Sequence, residues 1–474
     1  MTENLAGKTI GELAPLLENK VISPVEIACD VLNRVKTYDA EINSYIDVSP
    51  EEAVLTAAKQ AEDEIAQGNY KGPLHGIPLA LKDIFCFDGE KTTAGSKIHK
   101  DFTADYDAAV VAKLKEAGAL FTGKLNMHEY ATGGTNLNEH YGACRNPWDV
   151  TKIPGGSSGG SGAAVAADLT IASLGTDTGG SIRIPASACG IVGLKPTHGL
   201  VSKYGCFPLS WSLDHIGPMT KNVTDAAIML QQIAGYDVRD TTSIKAPGET
   251  YVDALVGDIK GKVIGIEEDY FFNEVDSEVA ELVKKGIATL ESMGARVEPV
   301  KIPALKYAEY AEYMTFLGEA ALIHQRNLRK LPEDFGPSVR DTLLLGNMVS
   351  SAQYLEAQQI RRLMALDFAA AWQQVDVLIA PTLPIVPFTI GEKNVLINGK
   401  EHAGNHSLIR FNAPANLLGL PSISVPCGFS QGLPVGMQIM GPALSESLLL
   451  NFAYAFEQTN PLNGAKPNLK FALA

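Results

Sequence analysis

The chain has 474 residues, of which 46% are hydrophobic, and a formal net charge of -15. That length and composition provide for a large buried core, and the acidic balance argues against a nucleic-acid groove or an anionic membrane surface as partner. The six cysteines (Cys29, Cys86, Cys144, Cys189, Cys206 and Cys427) form no C-x-x-C pair and have no histidine at zinc-ligand spacing, which points to reduced thiols and no metal. Residues 1–8 lack the apolar core of a leader. No apolar run reaches the roughly 18–20 residues of a membrane helix. The expectation is a cytoplasmic protein without a membrane partner or a cofactor.

In chain order, Ser23-Pro24 reads as an N-cap and first helical position for a helix over 25–35. Residues 51–66 are alanine-rich and helical. The apolar run 77–85 has Lys82 and Asp83 set into it, as a buried strand ending at a site would. A helix over 107–117 and a strand over 119–123 lead to Lys124. The centre alternates: a small-residue helix at 159–167, a strand at 170–175, a short helix at 181–188 and a strand at 191–194. Asn222 and Thr224 read as an N-cap pair for an amphipathic helix to 234.

Residues 237–261 are polar and turn-rich, a long surface connection. Beyond them, 277–293 and 354–372 carry apolar residues at helical spacing, with Ile360, Met364, Phe368 and Ala371 on one stripe. Buried strands are expected at 375–380, 422–425 and 436–441. Alternation of this kind predicts an α/β fold, a large mixed sheet layered between helices. One domain over 1–474 is expected: a catalytic half (1–240), a variable and mostly helical insertion (241–375) and a return to the sheet (376–474).

The chemistry concentrates between Pro154 and Arg183, in Pro-Gly-Gly-Ser-Ser-Gly-Gly-Ser and Gly-Thr-Asp-Thr-Gly-Gly-Ser-Ile-Arg. Paired glycines weaken regular structure and are kept where backbone N–H groups must come close to a reacting atom. Three mechanisms could use them. Gly155 to Gly160 has P-loop spacing, but Ser161 stands where the phosphate-gripping lysine belongs. Gly156 to Gly160 also matches a G-x-S-x-G nucleophile elbow on Ser158, with His198, His215, His324, His402 or His406 as base. The elbow needs a strand before it, and residues 148–154 make a poor one. The third uses Lys82, whose apolar surroundings would depress its pKa and make it a base. A strand-end salt bridge is the plainer reading of that lysine, and a strand-end hydrogen bonder that of Asp83.

Lys82 in G-I-P-x-x-x-K-D, followed by G-G-S-S-G-G-S, G-T-D-T-G-G-S-I-R-x-P and Gly193-Leu194-Lys195-Pro196-Thr197, resembles the amidase signature family. The likeness weakens after about Asp240 and returns at Ala380-Pro381-Thr382, Asn416 to Pro426 and Leu433-Pro434-Val435-Gly436. The resemblance implies Ser181 as nucleophile, Ser157 as a bridging serine after a cis peptide bond, and Lys82 as base. It implies backbone N–H groups of Thr178, Gly179 and Gly180, with that of Ser181, as the oxyanion hole, and Ser158, Asp177 and Arg183 as supporting residues. Met127, Trp211 and Arg361 are the expected substrate-pocket residues.

Two uses remain open within the family. One is a free-standing hydrolase acting on a small-molecule amide through an acyl-enzyme, without nucleic acid and with a homodimer left open. The other is the glutaminase component of a tRNA-dependent amidotransferase, which Arg145-Asn146-Pro147-Trp148 and Ser212-Leu213-Asp214 resemble. The resemblance to that component implies an acid five positions before Pro414, where this chain has Ile409, and Phe207-Pro208-Leu209-Ser210-Trp211 is closer to stand-alone amidases. The expectation is the hydrolase.

Overall fold

A computed structural model describes residues 4–460 and 464–469; residues 1–3 of the segment read for a leader lie outside the described residues. Its frame is one mixed sheet of eleven strands. In chain order these are β1 (Tyr45–Val48), β2 (Pro78–Lys82), β3 (Leu120–Leu125), β4 (Ala172–Asp177), β5 (Val192–Lys195), β6 (His215–Thr220), β7 (Val263–Ile266), β8 (Arg296–Pro299), β9 (Val377–Pro381), β10 (Ser422–Ser430) and β11 (Leu433–Met440). Across the sheet the order is β1-β3-β2-β4-β6-β5-β10-β11-β9-β7-β8. The expected α/β sheet between helices is present, and strands from both ends of the chain share it.

β2 and β4 are parallel neighbours, third and fourth across the sheet, both wholly buried. Strands buried on both faces read as continuous apolar runs, which is why 77–85 stands out. Lys82 and Asp177 are their last residues. Both strands therefore deliver their functional side chains to one edge, the carboxyl end, where α/β sheets hold ligands.

Local signals set the helices. Ser23 accepts from Glu26 N–H in a capping box with Pro24 at the first position, and the helix runs Pro24–Ile42. Asn222 caps Val223–Ile233 by accepting from Asp225 N–H; Thr224 lies inside the first turn rather than sharing the cap. Residues 237–261 form turns without helix or strand. The segment 241–375 is mostly helical, led by Ala308–Lys330 and Ser351–Ala371. It also contributes β7 and β8 to the sheet edge, so the insertion is stitched into the frame. Among the described residues no helix is long and apolar enough to cross a membrane.

Candidate active site

Lys82 is fully buried, and its Nζ lies 2.7 Å from Ser157 Oγ, 2.9 Å from Ser158 Oγ and 2.7 Å from Thr176 Oγ1. No carboxylate takes part in that set, so the strand-end salt bridge is excluded. Burial pushes the amine down to about 7, against the opposing charges of Cys206, Asp214 and Asp177. A lysine so placed is partly neutral at ordinary pH. Asp83 beside it is the hydrogen bonder expected, accepting from Thr93 N–H at 3.0 Å.

The two glycine-flanked serines meet at this amine. The Gly156–Ser157 peptide is cis. Ser158 N–H donates to the Ser181 carbonyl at 3.3 Å, which sets the two loops side by side. Ser158 Oγ donates to the Thr176 carbonyl and accepts from Thr176 N–H, each at 3.2 Å, so β4 holds it on both sides. Its partners are lysine and main chain, with no histidine, and 148–154 forms turns and isolated bridges instead of a strand. The nucleophile-elbow arrangement is absent. His128, which donates its backbone N–H to the Ser157 carbonyl, is kept neutral by burial and by Lys82, at about 4.

The serine loop is packed against backbone. A Cβ on Gly160 would lie 2.3 Å from Asn126 O, 2.5 Å from Ser44 O and 2.6 Å from Asn126 N. No rotamer change relieves a clash with main-chain atoms. Gly160→Ala is expected to cost about 3 kcal/mol, read as a lower denaturant midpoint; a loss below about 1 kcal/mol would show that this loop gives way.

Asp177 organises the loop leading to Ser181. Its carboxylate accepts from Gly180 N–H at 2.8 Å and Ile182 N–H at 3.2 Å, and pairs with Arg183 through Nε and a terminal nitrogen, both at 3.0 Å. Arg183 is 0% exposed and also donates to Asn412 O, Asn416 Oδ1 and Gln438 Oε1. Asn416 returns a bond to Asp177 Oδ1 at 2.8 Å. The expected oxyanion loop needs one correction here: the Gly180 N–H is already committed to Asp177. The N–H groups of Gly179 and Ser181 have no acceptor among the described residues. Thr178 is held through its hydroxyl, which donates to Asp214 at 2.6 Å.

Ser181 opens on a cavity of about 90 Å³ whose lining includes Thr178, Gly179, Ile184, Glu312 and Ile409. The three residues expected in the pocket lie elsewhere. Met127 is fully buried beneath Gly95. Trp211 is 41% exposed and borders a neighbouring cavity instead. Arg361 donates through Nε to Leu417 O and through Nη1 to Ser212 Oγ and Gln358 Oε1, tying the Ser351–Ala371 helix to the short helix Ala413–Leu417 and to the turn at Ser212. Glu312, Asp214, Thr176 and Gln438 are not singled out by the sequence. Of these, only Thr176 and Asp214 lie inside quoted motifs. Among the described residues no cluster of three or more metal-ligating side chains occurs.

The family model described as Amidase matches residues 26–450. The A subunit of the glutamyl-tRNA(Gln) amidotransferase of Moorella thermoacetica is 41% identical, over 98% of this chain and 99% of that one. The solved A subunit of that amidotransferase from Thermotoga maritima is 35% identical over 98% of each chain, with a TM-score of 0.83. A structure described as a vestigial complex revealing the origins of an s-triazine catabolic enzyme is 34% identical, over 95% of this chain and 98% of that one, with a TM-score of 0.91. The expectation of no nucleic-acid partner gains no support from relatives whose name contains a tRNA.

Proposed function

This chain belongs to the amidase family of amide-hydrolysing enzymes, and we propose that it cleaves a carboxamide through Ser181, Ser157 and Lys82. The observation that carries the reading is a buried lysine amine 2.7 Å from Ser157, in a site whose other serine faces a cavity. A serine hydroxyl attacks a carbonyl only when a neighbour removes its proton. Neutral Lys82 draws a proton from Ser157, which takes one from Ser181 as Ser181 Oγ bonds to the carbonyl carbon. The oxyanion is met by the N–H groups of Gly179 and Ser181, with Thr178 on the same turn; each such donor is worth roughly 3 kcal/mol. The proton returns from Lys82 through Ser157 to the leaving nitrogen. The C–N bond breaks, and water then hydrolyses the acyl-enzyme.

The use of that step has two readings. The curated relatives favour the A subunit of an amidotransferase, with glutamine as the amide and a partner receiving the ammonia. Two observations support free hydrolysis. The fold superposes more closely on a solved bacterial aryl acylamidase, with a TM-score of 0.88, than on the solved amidotransferase component, with 0.83. Among the described residues, the cavity is lined by no lysine or arginine that would hold a free amino acid's carboxylate.

The purified chain alone should release ammonia from a panel of small carboxamides. Turnover of glutamine only, rising with partner proteins and tRNA, decides for the amidotransferase. On the best substrate, kcat/KM should rise with pH through about 7 and then level, because protonated Lys82 cannot act as base. A limb near the ordinary lysine value of about 10 would remove Lys82 from the base role.

A further inference from the structure

Glu312 projects from the Ala308–Lys330 helix into the cavity before Ser181. It is 4% exposed, and among the described residues its Oε2 has no hydrogen-bond partner. Its Oε1 sits against the oxyanion turn, since a Cβ on Gly179 would lie 2.7 Å from it. Among the described residues, Glu312 is the only carboxyl lining this cavity, and no lysine or arginine lines it. The nearest cations are engaged elsewhere: Arg361 on Leu417, Ser212 and Gln358, and Arg183 on Asp177, Asn412, Asn416 and Gln438. Burial pushes the Glu312 carboxyl well above its ordinary range, Arg361 opposes that, and the charge of Asp177 adds to it.

A buried carboxyl without a partner is costly, and a fold that only needed to fill the space would place an apolar side chain there. We propose that Glu312 is the specificity-determining residue of this cavity, selecting small carboxamides whose acyl part carries an ammonium group. The ammonium supplies both the missing donor and the missing cation, as a charge-assisted hydrogen bond screened from water. A neutral isostere leaves Oε2 unpaired. An anionic one brings an uncompensated charge into a buried site that holds no cation, which is the repulsive half of specificity. The cavity's volume limits the acyl part to a few atoms. The inference rests on Ser181 as the nucleophile facing this cavity.

Binding to Ser181→Ala protein tests the proposal without requiring turnover. By calorimetry, alaninamide should bind at least about tenfold more tightly than its isostere isobutyramide, and succinamate more weakly than either. Adding Glu312→Gln should reduce the alaninamide preference to within about threefold. Equal binding of the two amides, or a preference that survives Glu312→Gln, overturns the proposal. Should Glu312→Gln fail to fold, the ratio in Ser181→Ala protein decides by itself. A clear preference with no hydrolysis of any amide by the wild-type chain supports Glu312 and sinks the hydrolase reading instead.

Discussion

Ser181→Ala is expected to lower kcat by on the order of 10⁶, and Lys82→Met by about 10⁴. The double variant should be no worse than Ser181→Ala, because the members of a relay act as one unit. Ser158→Ala is the contrast. Ser158 Oγ is fixed by the main chain of Thr176 and lies 2.9 Å from Lys82, so its removal deletes one of three hydroxyl neighbours of the amine. A loss of about 1 kcal/mol, five- to tenfold in rate, is expected there. Steady-state rates on one amide give the ranking, and intact mass after a fluorophosphonate gives the site. Labelling should vanish in Ser181→Ala and persist in Ser158→Ala. The reverse pattern would restore the nucleophile elbow that the structure does not contain.

The reacting side chains are legible because each lies in a short run with an anomaly: a lysine in an apolar strand, serines between glycine pairs. Their neighbours are not. Glu312 lies far from Gly179 in sequence, on a helix whose pattern stands out for nothing, and only the folding of the second half onto the sheet brings it to the turn. The motif assigns the Gly180 N–H to the oxyanion because it does not reveal that the Asp177 side chain folds back to take it. The family resemblance puts Arg361 in the pocket, while its Nε and Nη1 donate to a carbonyl and two side chains outside it. Among the elements, Glu51–Ala66 is readable to its ends. β6 escapes notice because Gly217 and Pro218 interrupt a strand all of whose residues are buried. β7 and β8 escape it because four-residue strands have little room for a pattern.

Asp177→Ala is expected to cost about 3–5 kcal/mol, since it leaves the Arg183 guanidinium buried with its charge uncompensated. Arg183→Met should cost a similar amount for the mirror-image reason, and Asp177→Leu with Arg183→Met should recover part of it, because no lone charge then remains. Chemical denaturation of the four proteins measures the coupling. Acid gives an independent reading. Burial pushes the Asp177 carboxyl up, but the charge and hydrogen bonds of Arg183, the Lys195 charge and Asn416 outweigh it and hold the group at about 2, below its ordinary 3.8. A carboxylate depressed by folding stabilises fully above its unfolded value, and loses that contribution as pH falls through its folded one. Roughly 2 kcal/mol should therefore disappear between about pH 4 and pH 2. Asp83 and Asp225, which burial raises to about 6, drift with the opposite sign, so the informative quantity is the gap between wild type and Asp177→Asn. That gap should be wide at pH 6 and narrow toward pH 2.5. A constant gap, or one below about 1 kcal/mol throughout, would mean that the pair contributes no net stability. The Gly180 N–H and the turn before Ser181 would then be held by Asn416 and packing, and the rate, not the fold, should register the loss of Asp177.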